Sequence, residues 1–234
     1  MLSIIIPTLN EEDYLPKLLS SIKRQDFYEY EVIVADAGSK DKTMEIAKEY
    51  GCKVVKGGRL PAGRNRGAEA ATGDLFLFLD ADITLPDHFL KNTTKVFREK
   101  TLGVAGFCIT PMKAKLIDRL AHHIFNGYSW LVQKIFPHAA MAIMSTRETH
   151  NAIGGFDEEI TFVEDFSYAK AAAKVAKYGL IQEPVLSSMR RYEKDGRMVY
   201  LKYVLAELHI IFIGPIKSDI FKYRFGHYKE KFER

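Results

Sequence analysis

The stretch Leu75-Phe76-Leu77-Phe78-Leu79-Asp80-Ala81-Asp82 decides how the rest of the chain is read, because an unbroken apolar run ends in two carboxylates one residue apart. Such a run, bounded by Gly73 and Pro86, fits a central strand of a parallel sheet covered on both faces. Ligands of open α/β sheets bind beyond the carboxyl ends of the strands, so Asp80 and Asp82 stand where a ligand edge is expected. No Lys or Arg adjoins them in sequence, and two bare carboxylates repel unless a cation lies between them. Hard oxygen donors suit Mg²⁺ or Mn²⁺, which reach proteins through one or two carboxylates together with a substrate's phosphates. The plainer alternative is a solvated acidic turn leading into the helix expected over residues 86–99.

Upstream, residues 2–6 form a short apolar strand that leads through Pro7-Thr8-Leu9-Asn10-Glu11-Glu12 into an amphipathic helix over residues 14–22. Asn10 is the expected N-cap, and Pro16 is expected to delay the regular helix. Residues 31–36 give a second buried strand, ending in Asp36 and turning into a helix over residues 43–50. A third strand over residues 53–55 precedes Gly57-Gly58 and a polar helix carrying Arg59, Arg64, Asn65 and Arg66, with Gly73 as its C′ residue. This alternation implies parallel strands joined by right-handed crossovers, which brings Asp36 to the same edge as Asp80. Downstream, strands are expected over residues 103–109 and 139–145, and helices over residues 116–136 and 164–178, with Ile153-Gly154-Gly155-Phe156-Asp157-Glu158 as a loop between the last two elements.

A chain of 234 residues with 47% hydrophobic and 27% charged residues can bury one sizeable core and is not disordered. A net charge of +4, without a long basic block or a zinc-finger, RRM or KH signature, argues against nucleic acid as a partner. Cys52 and Cys108 show no metal spacing and fit a reducing, cytoplasmic compartment. Residues 1–6 lack the basic n-region of a signal peptide, so the mature chain is expected to start at Met1. The helix over residues 116–136 lines up Leu116, Ile117, Leu120, Ile124 and Leu131 on one face, which either packs on the core or lies in a membrane interface. Residues 198–216 are mostly apolar but include Lys202, Glu207 and His209; each charge at a bilayer centre costs ~2.5–3.5 kcal/mol, which rules out a span. Residues 217–234 mix basic and aromatic side chains as an anionic lipid surface would require, although a solvated basic terminus has the same composition. The expected division is a catalytic α/β unit over residues 1–197 and an amphipathic, basic helical extension over 198–234 within the same structural unit, in peripheral contact with the inner membrane face.

Five stretches in order, "SIIIPTLNEE", "VIVADAGSKDKT", "GRNRGAEAATGDLFLFLDAD", "GGFDE" and the Glu164-Asp165 pair, resemble family 2 of the inverting nucleotide-sugar glycosyltransferases over about residues 1–180. The resemblance implies a GT-A fold, with a mainly parallel central sheet flanked by helices. It implies a donor nucleoside-diphosphate sugar of UDP or GDP, a Mn²⁺ or Mg²⁺ cofactor, and an acceptor hydroxyl on a glycan or lipid-linked molecule. Carried over, Thr8 and Asp36 bond the base, Glu11 the ribose, and Arg64 lies against base or diphosphate. Asp80 contacts ribose or metal, and Asp82 is a direct metal ligand. Asp165 is the general base, which Glu164 supports; the plainer reading makes both first-turn helix charges.

Two departures stand out. Asp36-Ala37 replaces the Asp-Asp frequent in the family, and Ser187-Ser188-Met189-Arg190-Arg191-Tyr192 has no His where many relatives bind metal. Arg190 and Arg191 suit pairing with the diphosphate instead, while His138 and His150 are the remaining imidazoles that could complete a ligand set. Asp80-Ala81-Asp82 also matches the first motif of haloacid-dehalogenase-like phosphatases. That reading finds no later Gly-Asp-x-x-x-Asp motif and leaves residues 7–12 and Asp36 unexplained. A non-catalytic nucleotide-sugar-binding scaffold at the membrane is the non-enzymatic alternative.

Overall fold

In the computed structural model, which describes residues 1–221, the apolar run is strand β4 (Leu75–Leu79), buried along its whole length. It follows β1 (Leu2–Thr8), β2 (Tyr30–Asp36) and β3 (Lys53–Lys56), all parallel. The helices α1 (Leu15–Lys23), α2 (Thr43–Glu49) and α3 (Leu60–Ala70) make the crossovers. Then come β5 (Ile83–Thr84), β6 (Val104–Pro111), β7 (Ala142–Thr146) and β8 (Tyr178–Ser187). The eight strands form one sheet in the order β3-β2-β1-β4-β7-β6-β8-β5. β7 runs antiparallel between β4 and β6, and β5 antiparallel to β8, so the parallel half is the half that carries the first four strand ends. Apolar clusters lie on both faces, one through Ile4, Leu18 and Leu77, the other through Ile5, Phe76 and Phe78.

Local sequence explains several close contacts. A Cβ on Gly67 of α3 would come within 2.3 Å of Ile5 Cγ2, so glycine there lets the helix lie directly on β1. Gly73 serves close packing too: it is not the C′ residue of α3, which ends at Ala70, and its bare Cα sits against the Met1 carbonyl. Asn10 is not a helix cap either. It sits in the left-handed region and accepts from the Lys40 amide, while α1 begins at Leu15 with a proline in its first turn.

The remaining helices are α4 (Phe89–Glu99), α5 (Leu116–Val132), α6 (Arg147–Ala152), α7 (Glu164–Ala172), α8 (Arg190–Lys194) and α9 (Met198–Phe212). The helix expected to reach residue 178 stops at Ala172, and Tyr178 opens β8, a strand the sequence pattern does not announce. α9 packs on α7 and the segment before it, where Phe162 and Phe166 meet Ala206 and Ile210. α5 has its expected amphipathic period but the opposite orientation to a core helix: Asp118, His122 and Ser129 are its buried residues, whereas Leu116 and Leu131 are 83% and 75% exposed. Among the described residues no helix is long and apolar enough to cross a membrane. Most of the basic-aromatic tail, residues 222–234, lies outside the described residues.

Candidate active site

The carboxyl ends of β1, β2 and β4 and the loops that follow them meet in one acidic edge. Register pairs Thr8 with Asp36, and the Thr8 hydroxyl donates to Asp36 Oδ1 at 3.0 Å. The other bonds to Asp36 come from its own loop: the Ser39 hydroxyl to Oδ1, and the Gly38 and Ser39 amides to Oδ2. Asp36 therefore organises the loop over residues 37–39. A second latch joins the two loops, in which the Asn10 amide donates to Ser39 Oγ and the Glu11 amide to Thr43 Oγ1.

Two arginines hold the carboxylates. Arg64, 1% exposed on α3, donates from Nη2 to Asp80 Oδ1 at 2.7 Å and from Nη1 to Glu164 Oε1 at 2.6 Å. Its Nη1 also lies 2.9 Å from Asp165 Oδ1, an ion-pair contact off the axis of a hydrogen bond, so that oxygen is buried without a donor. The Phe156 ring lies beneath the guanidinium, 5.2 Å from its carbon. Arg64 thus has its terminal nitrogens on three carboxylates. It is the cationic hub of the cluster. Arg190 is the second clamp: it pairs bidentately with Glu11 at 2.7 and 2.8 Å and reaches Asp82 Oδ2 from Nε at 2.9 Å. The Ser188 hydroxyl donates to the same Asp82 oxygen. Arg191 instead contacts the Tyr203 hydroxyl, with its charge still felt at Asp80.

Burial sets the protonation chemistry. It raises Asp165 well above the usual carboxylate range; Arg64 opposes the shift, and Glu164 and Asp80 add to it. Asp80 is raised for the same reason, although 24% of its side chain stays open and water moderates the effect. Burial pushes Glu11 up to about 7, with Arg190 pulling it back.

Asp80 and Asp82 offer hard carboxylate oxygens at the end of β4, and both side-chain bonds to Asp82 end on Oδ2. This donor set fits one Mg²⁺ or Mn²⁺ completed by phosphate oxygens. A protein-only cage is not formed: among the described residues no three His, Cys, Asp or Glu side chains gather as a metal site. Neither histidine completes one. His138 pairs with Glu207 on α9 at 2.9 Å. His150 is packed among Phe76, Phe78 and Tyr168, with burial lowering its pKa to about 4.

Asn65 is a positioning residue that sequence reasoning noted only as part of a polar helix. Its side chain donates to the Phe156 carbonyl and accepts from the Phe156 amide, tying the Gly-Gly-Phe-Asp-Glu loop to α3 beside Arg64. The adjacent Arg66 turns the other way to the Gly57 carbonyl. The signal was the run Arg64-Asn65-Arg66-Gly67, in which each residue serves a different partner.

A mostly parallel sheet flanked by helices, with an acidic pair at the end of its central strand and a second pair opening a helix across the edge, is the architecture of the GT-A glycosyltransferases. The profile of Glycosyl transferase family 2 matches residues 3–157, and the chain belongs to that family. It is 42% identical over 95 residues to the PGL/p-HBAD biosynthesis glycosyltransferase Rv2957 of Mycobacterium tuberculosis, an alignment covering 36% of each chain. The chain thus aligns with about a third of that relative's length. Among solved structures, S. aureus TarS 1–349 in complex with UDP-GlcNAc superposes with a TM-score of 0.67 at 19% identity, over 90% of this chain and 73% of that one. The mannosyltransferase PcManGT from Pyrobaculum calidifontis, in complex with GDP-Man and Mn²⁺, gives 0.70 at 20% identity, over 88% and 61%. At these identities the structural likeness is one of fold. Family membership places the chain among the glycosyltransferases and not among the phosphatases that the Asp80-Ala81-Asp82 motif also matches.

Proposed function

We propose that the protein is a metal-dependent inverting transferase that moves a sugar from a UDP or GDP donor to an acceptor hydroxyl. The acceptor is a glycan or lipid-linked molecule, met at the inner membrane face by a peripheral, cytoplasmic enzyme. The observation that carries this reading is Asp165: a buried carboxylate with a raised pKa, one oxygen lacking a hydrogen-bond donor, in the same cluster as Asp80. A base works best with a pKa near the operating pH, and Asp165 has been moved in that direction. Held in place by Arg64 beside Oδ1 and by the Met141 amide, which donates to Oδ2, it takes the proton of the attacking hydroxyl. Glu164 shares Arg64 with it and fixes its orientation.

Asp80 and Asp82 would hold the Mn²⁺ or Mg²⁺, whose chemistry is Lewis-acid neutralisation of the departing diphosphate. Thr8 and Asp36 border the base, and Glu11 the ribose. Arg190 exchanges one of its carboxylate partners for a diphosphate oxygen, and Arg191 adds permanent positive charge nearby. The solved complexes of TarS with UDP-GlcNAc and of PcManGT with GDP-Man and Mn²⁺ support the donor class and the metal by analogy of fold. Asp165→Asn keeps the side chain's shape and removes its basicity. Transfer should fall ~10²–10⁴-fold with donor affinity nearly unchanged, measured by turnover and calorimetry on wild type and variant. Wild-type turnover in the variant would remove Asp165 from the mechanism.

A further inference from the structure

α5 and α9 are joined through their polar sides. Arg197, just before α9, donates from Nε and Nη2 to the two oxygens of buried Asp118 at 2.9 and 2.7 Å, and the Tyr200 hydroxyl adds a third bond. At the other end the Tyr128 hydroxyl and His138 Nε2 both bind Glu207 Oε1. His122 stands edge-on to Tyr200 between them. With these groups in the seam, the apolar stripes must face outward: Ile117, Leu120, Ile124 and Leu131 on α5, and Leu201, Leu205 and Phe212 on α9, are 45% or more exposed. Outside residues 116–135 and 198–220, only Met1, Tyr28, Met44 and Val175 among the described residues expose large apolar side chains. Exposed apolar surface is thus concentrated on one helix pair, which marks an interaction surface.

We infer that the outward faces of α5 and α9 form a docking surface for an anionic lipid bilayer, with both helices lying in the interface. This rests on the membrane placement proposed above and names the surface that makes it. Charge selects the occupant. Asp118 and Glu207 are the only acids within the two helices and both are consumed in the seam, whereas Arg119 and Lys202 are their basic residues. Lys113, Lys115 and Lys134, next to α5, are basic too. The chain that continues beyond Phe221 holds Lys222, Arg224, Lys229, Lys231 and Arg234 against two glutamates, interleaved with Tyr223, Phe225, Tyr228 and Phe232. A second copy would set two basic rims against each other in a symmetric contact, while anionic headgroups neutralise them. Trp130, exposed on α5, has the amphipathic ring favoured at the headgroup level.

Trp130 is the only tryptophan and is 55% exposed, so the protein carries its own probe. The full chain, without donor or acceptor, is mixed with vesicles of phosphatidylcholine alone or with phosphatidylglycerol. The expected result is a blue shift of Trp130 emission, and co-flotation, with the phosphatidylglycerol vesicles, weakened by salt. Ile124→Glu with Leu205→Glu should abolish both while leaving the circular dichroism spectrum unchanged. Should that variant misfold, quenching of wild-type Trp130 by brominated lipid decides the matter. No shift or quenching with either vesicle would overturn the inference. So would a dimer in light scattering whose Trp130 is already blue-shifted and insensitive to lipid, which would assign the face to a second copy. Asp165→Asn should bind vesicles as wild type does, so loss of docking and loss of chemistry are separable.

Discussion

The acidic edge and the α5–α9 pair use the same device in opposite surroundings. Both bury carboxylates and hold them with basic side chains, Arg64 and Arg190 at the edge, Arg197 in the helix seam, where His138 and Tyr128 add hydrogen-bond contacts. At the edge the ion pairs sit where apolar strands end, and the hydrophobic clusters lie behind them. In the helix pair the ion pairs take the place a core would occupy, and the apolar side chains are left outside. Each large aliphatic so exposed forgoes roughly 1.5–3 kcal/mol of burial. The difference teaches that a buried polar network is arranged for the surface it leaves open: an acidic edge in one case, an apolar face in the other.

The sharpest way to break this comparison is to remove the hub of the edge. Arg64→Met would leave Asp80, Glu164 and Asp165 together without their cation, and breaking a buried pair in this way costs ~3–5 kcal/mol. Equilibrium denaturation should register that loss in full, since Arg64 is almost wholly enclosed. Arg197→Met should cost less, because the Arg197 side chain is 38% exposed and water can replace part of what it gives Asp118. Equal stability of the two variants would refute the view that the edge depends on buried charge more heavily than the seam does.

What the sequence made legible follows the same division. The first four strands announce themselves as apolar runs ending in polar residues, so Thr8, Asp36, Asp80 and the edge they share can be placed from period alone. Pro16 told the truth about α1, which starts late. The hub role of Arg64 was hidden, because its carboxylates come from 16 and about 100 residues away and only the folded chain brings them together. β8 was hidden for a different reason: Tyr-Gly-Leu-Ile-Gln-Glu-Pro-Val-Leu-Ser does not alternate, and its pairing with β6 shifts register before Pro184. In α5 the 3.6-residue period was plain but its orientation was not. Burying the polar face requires Arg197 and Glu207, which lie 79 residues beyond Asp118 and Tyr128.

Two of the buried histidines offer a second, smaller test. His138 faces Glu207 in the seam, whereas His150 lies behind the edge among aromatic rings, its pKa lowered to about 4 first by burial and then by Arg147. Above about pH 6.5 His150 is neutral in both folded and unfolded chains and contributes no pH dependence. As pH falls from 6.5 towards 4 the unfolded chain takes up the proton first, so stability drains across that window, by up to about 3 kcal/mol. His150→Phe preserves the aromatic packing and has nothing to protonate. Denaturation midpoints measured at several pH values between 4 and 7 should fall more steeply with acid for wild type than for the variant; parallel curves would show that His150 does not titrate abnormally.

The smallest effect is expected where sequence alone would predict a large one. Ile124 belongs to the apolar stripe of a helix, and a core helix would lose several kcal/mol on its truncation to a polar residue. Here Ile124 is 61% exposed and the helix is anchored by its other face, so Ile124→Ser should change stability in water by no more than about 0.5 kcal/mol. The residual cost is that of a slightly poorer helix former. A loss of several kcal/mol in lipid-free buffer would mean that the stripe is already buried in solution, against a second copy or another part of the chain. A near-zero change would leave those apolar residues without a folding role in the isolated protein, so that only what covers them outside it could account for their number and spacing.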